Sequence, residues 1–224
     1  MDANLIQFLS GFVTPERLAL FEKIISLRTN YITVVLEDLY QTQNSSAVIR
    51  TADCFGIQNV HVIENKNVFK VNPDVVRGAT NWVTVNRYND HDMNTLVAIR
   101  KLKADGYRII ATSPHEHDVN LEDFDLEKGK AAFIFGTERP GLTSIAKSEA
   151  DEFMKIPMAG FTESLNISVS VAITLHHLTH VLRNQSSINW HLDDTEKQDL
   201  LLNWLRTSIK RVDLLEEKFN EINK

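Results

Sequence analysis

The sequence predicts an α/β fold in which a mostly parallel β-sheet lies between layers of helices. Five short apolar runs, several of them rich in β-branched residues, predict buried strands over residues 32–36, 60–63, 83–87, 107–111 and 131–135. Most of these runs are continuous rather than alternating in hydrophobicity, which is typical of strands buried on both faces of a parallel sheet. Helical patterns separate the strands, and this strand–helix–strand order favours the same architecture.

The helices are predicted from start signals, stop signals and apolar spacing. Thr14 and Pro15 begin a first amphipathic helix over residues 15–28, because a hydroxyl cap followed by proline favours a helix start. Asn44 is a candidate N-cap for a second helix, which ends before Gly56. Further helices are predicted over residues 93–104, from about 165 to 183 and, as one or two segments, beyond residue 189.

These elements divide the 224 residues into three parts. We expect an N-terminal helical extension over residues 1–30, a central α/β domain over 31–185 and a C-terminal helical extension over 186–224. A length of about 150 residues per domain agrees with one core and its appendages.

The charge balance and the apolar runs argue against two classes of protein. With 24 basic and 30 acidic residues, the net charge of −6 argues against a protein that coats nucleic acid by charge alone. A local basic patch remains open, as does an ordinary solvated face, for Arg17, Lys23, Arg28, Lys210 and Arg211. The longest apolar run has about five residues, against the roughly 20 of a membrane helix, so no membrane association is expected. The first twelve residues contain no base, which argues against a signal peptide.

Cysteine, glycine and histidine placement excludes several kinds of site. The single cysteine, Cys54, permits no intramolecular disulfide and no CxxC zinc site; we expect it in the core of a cytoplasmic protein. No two glycines are two residues apart, so both the G-x-G-x-x-G dinucleotide motif and the phosphate-binding loop are absent. His176 and His180 have the spacing of a metal pair, but without the glutamate of H-E-x-x-H they favour a polar helix face. His115 and His117 are expected in a loop, and no metal is predicted.

Asn44 and Arg50 belong to the first of three segments that break the pattern of core and solvated face. They lie six residues apart on the helix that follows the first strand, so they point roughly to the same side. An amide and a guanidinium in this arrangement can grip a phosphate or a ribose. The alternative is a helix cap and a surface arginine.

The second segment, residues 135–142, has the sequence FGTERPGL. Gly136 allows a ligand to approach bare backbone where a buried strand ends. Gly141 follows a proline in a turn that requires a positive φ. Glu138 is thereby placed at the carboxyl end of the sheet, where open α/β sheets bind ligands. The alternative is a strand-to-helix turn with a solvated acid.

The third segment contains IPMAG at residues 156–160 and SLNIS at 164–168. Ile156 and Met158 flank a proline and form an apolar slot. Ser164 or Asn166 is a candidate cap for the helix that follows, and either presents polar groups beside the slot. The alternative is a plain strand, loop and helix cap.

Together the three segments resemble the motifs of the SpoU family of RNA ribose 2′-O-methyltransferases, in the SPOUT superfamily. The patterns that carry the resemblance are Asn-x5-Arg, FGxExxGL and IPMxG-x3-SLN-x-S, in this order and separated by about 90 and 20 residues. The resemblance covers residues 31–183. The helical segments before and after this range resemble those of the branch that modifies guanosine 18 of the tRNA D-loop.

The resemblance implies a fold, a cofactor and an assembly. The C-terminal part of the sheet is expected to form a deep trefoil knot, an exception to the rule against knots. S-adenosylmethionine is expected to lie in this knot, held largely by backbone groups. The residues that match its binding motifs are Phe135, Gly136, Ile156, Met158 and Leu165. The family's active sites lie at a dimer interface, so a homodimer is expected, with tRNA as the partner.

The resemblance also implies the reaction, the methylation of the ribose 2′-hydroxyl of guanosine 18 by S-adenosylmethionine. The expected catalytic residues are Arg50, Asn44, Glu138, Ser164 and Asn166. The family proposal makes the matching arginine the general base, but arginine in water has a pKa of about 12.5–13.8, so neutralising it at pH 7 costs about 7–9 kcal/mol. We therefore expect Arg50 to bind the neighbouring phosphate and to stabilise the developing alkoxide. The same chemistry on ribosomal RNA or another tRNA position, and a non-catalytic RNA-binding dimer, remain alternatives.

Overall fold

The computed structural model describes residues 3–113 and 119–222; the predicted loop histidines His115 and His117 lie outside these ranges. The chain divides into two compact units. One unit is Asn30–Trp190, and the other combines Met1–Thr29 with His191–Lys224.

A seven-stranded sheet is formed by the described residues of the unit Asn30–Trp190, and every recorded strand pair in it is parallel. The strands are β1 (Ile32–Glu37), β2 (Asn59–Ile63), β3 (Thr84–Tyr88), β4 (Arg108–Thr112), β5 (Val119–Asn120), β6 (Ala131–Phe135) and β7 (Glu152–Lys155). Their order across the sheet is β3-β2-β1-β6-β4-β7-β5. The α/β class and the parallel sheet predicted from the sequence are confirmed.

Among the described residues of this unit, four α-helices lie between successive strands along the chain and a fifth follows the last strand. They are α3 (Thr42–Cys54), α4 (Pro73–Val76), α5 (Asn94–Ala104), α6 (Ser144–Glu149) and α7 (Ile167–Asn184). Cys54, expected in the core, is exposed at the end of α3.

The core follows from the apolar strands. All six residues of β1 and all five of β6 are buried, because helices cover both faces of the sheet centre. Val34 lies opposite Val60 on one side and Phe133 on the other, and all three side chains are fully buried. The ring of Phe133 packs edge-on against Phe124 with 5.1 Å between ring centroids.

The second unit is helical and joins the two ends of the chain. Its helices are α1 (Ala3–Ser10), α2 (Pro15–Ile25), α8 (Asp194–Ser208) and α9 (Val212–Ile222). Thr14 caps α2 as predicted, and a reciprocal capping box of Asp193 and Glu196 begins α8. Arg28, considered above for a surface patch, is instead buried, with its guanidinium 5.4 Å from the ring centroid of Trp204.

Across the described residues, no helix is both long enough and apolar enough to cross a membrane.

Candidate active site

A cavity of about 580 Å³ opens at the carboxyl ends of β4, β6 and β7. Its volume lies within the ~300–1,000 Å³ range of small-molecule sites, and its position is where open α/β sheets bind ligands. All five predicted cofactor residues line it, namely Phe135, Gly136, Ile156, Met158 and Leu165. Glu138 and Ser164 line the same cavity. The structure therefore brings the second and third sequence segments together.

Gly136 is required by a close backbone approach at this cavity. A Cβ atom at position 136 would lie 2.5 Å from Gly141 C and 2.5 Å from Leu142 N. Gly141 has the positive φ, +88°, that the turn chemistry predicts. The loop after β6 therefore folds back against its own start.

Glu37 at the end of β1 anchors the far end of this loop, and sequence reasoning missed it. Its carboxylate is 1% exposed and accepts hydrogen bonds from Thr95 Oγ1 at 2.7 Å, Thr143 Oγ1 at 2.7 Å and Thr143 N at 2.9 Å. Thr143 also caps α6. The sequence shows an acid directly after an apolar run. A solvated acid at the end of a strand gives the same pattern, so the pattern does not indicate an anchor.

Asn166 joins all three segments by hydrogen bonds. It is the N-cap of α7, and its Oδ1 accepts from Ser168 N at 2.9 Å and Ser168 Oγ at 2.6 Å. This cap orients the amide, so Nδ2 faces the other segments. Nδ2 donates to Asn44 Oδ1 at 3.1 Å and to Glu138 Oε1 at 3.1 Å. Asn166, one of the two predicted caps, thus has the capping role.

Asn44 is not a helix cap, contrary to the prediction. Helix α3 begins two residues earlier, at Thr42, with Gln41 in the cap position. Asn44 therefore lies in the first turn, where its Nδ2 donates to Gln41 Oε1 at 2.6 Å. Because Asn44 lies inside the helix rather than at its start, its amide bonds to other side chains, and its Oδ1 accepts from Asn166.

Arg50 stands apart from the other predicted site residues. It is an exposed residue of α3 and is not among the described residues that line the cavity. No hydrogen bond or ion pair joins it to another residue in the part of the chain that the structure describes. Within one chain, the site therefore contains every predicted residue except this arginine.

The charged groups around the cavity have both signs. Its charged lining residues are Glu138, Arg139, Lys147, Lys155 and Glu163. No group of three potential metal ligands occurs among the described residues. The arrangement suits an organic ligand with both apolar and charged parts.

The chain matches the SpoU rRNA Methylase family over residues 31–176. It is 46% identical over 215 residues to the tRNA (guanosine(18)-2′-O)-methyltransferase of Borreliella burgdorferi, covering 96% of each chain. It is 30% identical over 195 residues to the enzyme of the same name from Thermus thermophilus, covering 86% of this chain and 97% of the relative.

Solved structures show the same fold. The TrmH/SpoU tRNA modifying enzyme of Aquifex aeolicus superposes with a TM-score of 0.75 at 25% identity, covering 87% of this chain and 98% of that one. The SpoU methyltransferase AviRb of Streptomyces viridochromogenes, solved with AdoMet, has a TM-score of 0.61 at 22% identity and covers 73% of this chain and 62% of its own. Motifs, fold and relatives agree, and the chain belongs to the SpoU rRNA methylase family.

Proposed function

We propose that the protein transfers a methyl group from S-adenosylmethionine to the ribose 2′-hydroxyl of guanosine 18 in the tRNA D-loop. The observation that carries the proposal is the amide of Asn166, which joins Asn44 and Glu138 beside the cavity. A relative whose match covers 96% of this chain is named for this activity.

The residues present fit the cofactor. S-adenosylmethionine has an apolar face, a purine edge, a cationic sulfur and a zwitterionic end. The cavity offers the apolar side chains of Ile156 and Met158 and charged groups of both signs. Phe135 and Gly136 line the cavity at the end of β6, which supports a ligand held there by main-chain groups.

When bound, S-adenosylmethionine supplies an activated methyl group for direct transfer to oxygen. The chain must then hold the ribose in line with that group and stabilise the charge that develops on its oxygen as the proton leaves. Asn44, Glu138 and Asn166 form a fixed polar cluster that orients the ribose hydroxyls, and Ser164 adds a hydroxyl from the cavity wall. Arg50 binds the phosphate beside the target ribose, with its planar fork directed at the phosphate oxygens.

Arg50 reaches this cluster from a second copy of the chain. It is exposed and does not line the cavity of its own chain, so the site is incomplete within one copy of the described chain. Helix α7 lines the cavity with Ile167, Ser170 and Thr174. The adjacent face of the same helix exposes Val169 at 44% and Ile173 at 38%. Two exposed apolar side chains beside an incomplete polar site support a homodimer whose interface passes through the site.

The strand order supports the trefoil knot. After β5 the chain returns twice into the sheet, because β6 lies between β1 and β4 and β7 lies between β4 and β5. We assign residues 31–185 to the methyltransferase domain, with residues 1–30 and 186–224 as its helical extensions. A tRNA substrate and a single cysteine favour the cytoplasm as the compartment.

The test is transfer of tritiated methyl groups to unmodified tRNA transcripts. Parallel reactions use a transcript with 2′-deoxyguanosine at position 18 and a ribosomal RNA fragment. Label in the guanosine transcript and none in the deoxy transcript is expected. Equal label in both transcripts would rule out ribose methylation at that position, and label confined to ribosomal RNA would favour the alternative substrate.

A further inference from the structure

The hydrogen-bond cluster of the site extends to two residues that no motif contains. Gln41 accepts from Asn44 Nδ2 through its Oε1 at 2.6 Å, and its Nε2 donates to Tyr40 Oη at 3.0 Å. Gln41 occupies the cap position of α3, yet its side chain makes no capping bond. Its amide is used to connect Tyr40 with Asn44.

Tyr40 forms one wall of a shallow hollow beside the cofactor cavity. The hollow is also bounded by Leu39, Asn44 and Ile167. Thr137 and Glu138 belong to the walls of both depressions. Ile167 belongs to both walls as well, and the hollow itself has room for little more than a water molecule. Tyr40 therefore stands beside the wall that these three residues share with the cofactor cavity.

Tyr40 has the properties of a stacking platform. Its side chain is 64% exposed, so a large flat ring faces solvent, and its hydroxyl accepts a hydrogen bond from Gln41. Proteins that recognise unpaired RNA loops stack splayed bases on aromatic rings, because every base has an apolar face. Tyr40 is not among the described residues that line the cofactor cavity, so the adenine of the cofactor is not its occupant.

We infer that Tyr40 stacks on the base of the acceptor nucleotide and that Gln41 positions its ring. This inference rests on the proposed function, since it names the surface that receives the target base. The chain Tyr40–Gln41–Asn44–Asn166 couples the stacked base to the cluster that orients its ribose. Tyr40 is therefore a binding residue for the acceptor, and Gln41 is a positioning residue.

The experiment uses the full chain and a tRNA in which 2-aminopurine replaces the base at position 18. Stacking on an aromatic ring quenches the fluorescence of this base. Titration of the wild-type protein is expected to quench the probe and Tyr40→Ala to leave it bright, whereas Tyr40→Phe, which keeps the ring but loses the bond to Gln41, quenches it more weakly than the wild type. On unmodified tRNA, Tyr40→Ala is expected to lower kcat/KM about tenfold, while Tyr40→Phe stays within about threefold. Gln41→Ala is expected to have an intermediate effect.

Two controls separate the possible failures. Val68→Ala removes an apolar side chain of equal exposure, 64%, away from both depressions, and is expected to leave quenching and turnover unchanged. Calorimetry should give the same S-adenosylmethionine affinity for all variants. If the wild type is active and Tyr40→Ala quenches the probe and turns over as the wild type does, this inference is overturned while the proposed function stands. The inference is also overturned if Tyr40→Phe loses as much quenching and turnover as Tyr40→Ala. A wild type that transfers no methyl group to tRNA contradicts the proposed function instead.

Discussion

Asn166 and Asn44, which are 122 residues apart in the chain, are joined by a hydrogen bond of 3.1 Å between Nδ2 and Oδ1. The bond links the start of α7 to the first turn of α3, and Glu138 accepts from the same nitrogen. One amide group therefore sets the relative positions of three segments that lie far apart in sequence.

Asn166→Asp tests the donor role of this amide separately from its capping role. Aspartate keeps the oxygen that caps α7, but it removes the Nδ2 donor and places a second carboxylate beside Glu138. We expect helix stability close to that of the wild type and kcat reduced at least about tenfold, since a misplaced reacting group commonly costs this much. Thermal unfolding and methyl transfer measure the two effects. Asn72→Ala, which removes the cap of α4, is the control, and a similar loss of turnover there would contradict the assignment.

Gly136→Ala tests the close backbone approach at the cavity. The added methyl group would lie 2.5 Å from the backbone at Gly141, so the loop must shift. Overpacking of this kind costs about 1–3 kcal/mol, and we expect a lower melting temperature together with weaker S-adenosylmethionine binding by calorimetry. The matched control is Gly160→Ala, because a Cβ there has its nearest neighbour, Thr162 N, at 3.9 Å. Equal behaviour of the two variants would show that the approach is unimportant.

Glu37→Gln tests the anchor of the loop after β6. The amide group replaces one acceptor oxygen with a donor that faces the hydroxyl or amide of Thr143, leaving a buried polar group unsatisfied. We expect the free energy of unfolding to fall by about 1–3 kcal/mol, measured by urea denaturation. Glu122→Gln, an exposed acid of the same unit, is expected to change stability little. A Glu37→Gln variant with the free energy of unfolding of the wild type would contradict the anchoring role.

His61 makes stability depend on pH. Burial lowers the pKa of His61 from 6.5 to about 4, and the ring lies against Tyr88, whose hydroxyl is 3.0 Å from Nδ1. Between these pH values the unfolded chain binds a proton that the folded chain does not, so stability falls as the pH falls from 6.5 towards 4. At pH 5 the loss relative to pH 8 is about 2 kcal/mol.

The measurement is urea unfolding at pH 8 and pH 5 for the wild type and His61→Gln. The pH-dependent difference between the two proteins should equal the histidine contribution, while His91→Gln, at an exposed position, should follow the wild type. A His61→Gln variant with the full pH dependence of the wild type would exclude this residue as the source.

The sequence predicted the strands from the β3 edge through β4 but missed β7 and β5 at the other edge. The strand over 131–135 was predicted with the bounds that the structure has, because burial on both faces demands an unbroken apolar run. Strand β7 has the sequence EFMK, and with a charged residue at each end it is not an unbroken apolar run. The ion pair of Glu152 with Arg108 forms only when β4 lies beside β7 in the folded sheet. Likewise β5 has two residues, too few for a sequence pattern, and it is a strand because it pairs with β7.

The site shows the same division between local and long-range information. The turn, the helix cap and the apolar slot of the three segments were predictable, because each has a local sequence signature. The role of Asn44 was not, since its amide is directed by Asn166, whose position depends on the folded sheet. The anchor at Glu37 escaped notice for the same reason, as its partners Thr95 and Thr143 lie 58 and 106 residues away.

The most direct test of the account asks whether Arg50 and the Asn166 cluster act across a subunit boundary. Arg50→Ala and Asn166→Asp chains, each with a different affinity tag, are co-expressed and the mixed dimer is isolated by two successive purifications. If a second copy supplies the arginine, the mixed dimer contains one intact site of two and should show about half of the wild-type turnover, although each parent is nearly inactive. A mixed dimer as inactive as its parents, or a wild-type protein that is monomeric and fully active, would contradict the shared site.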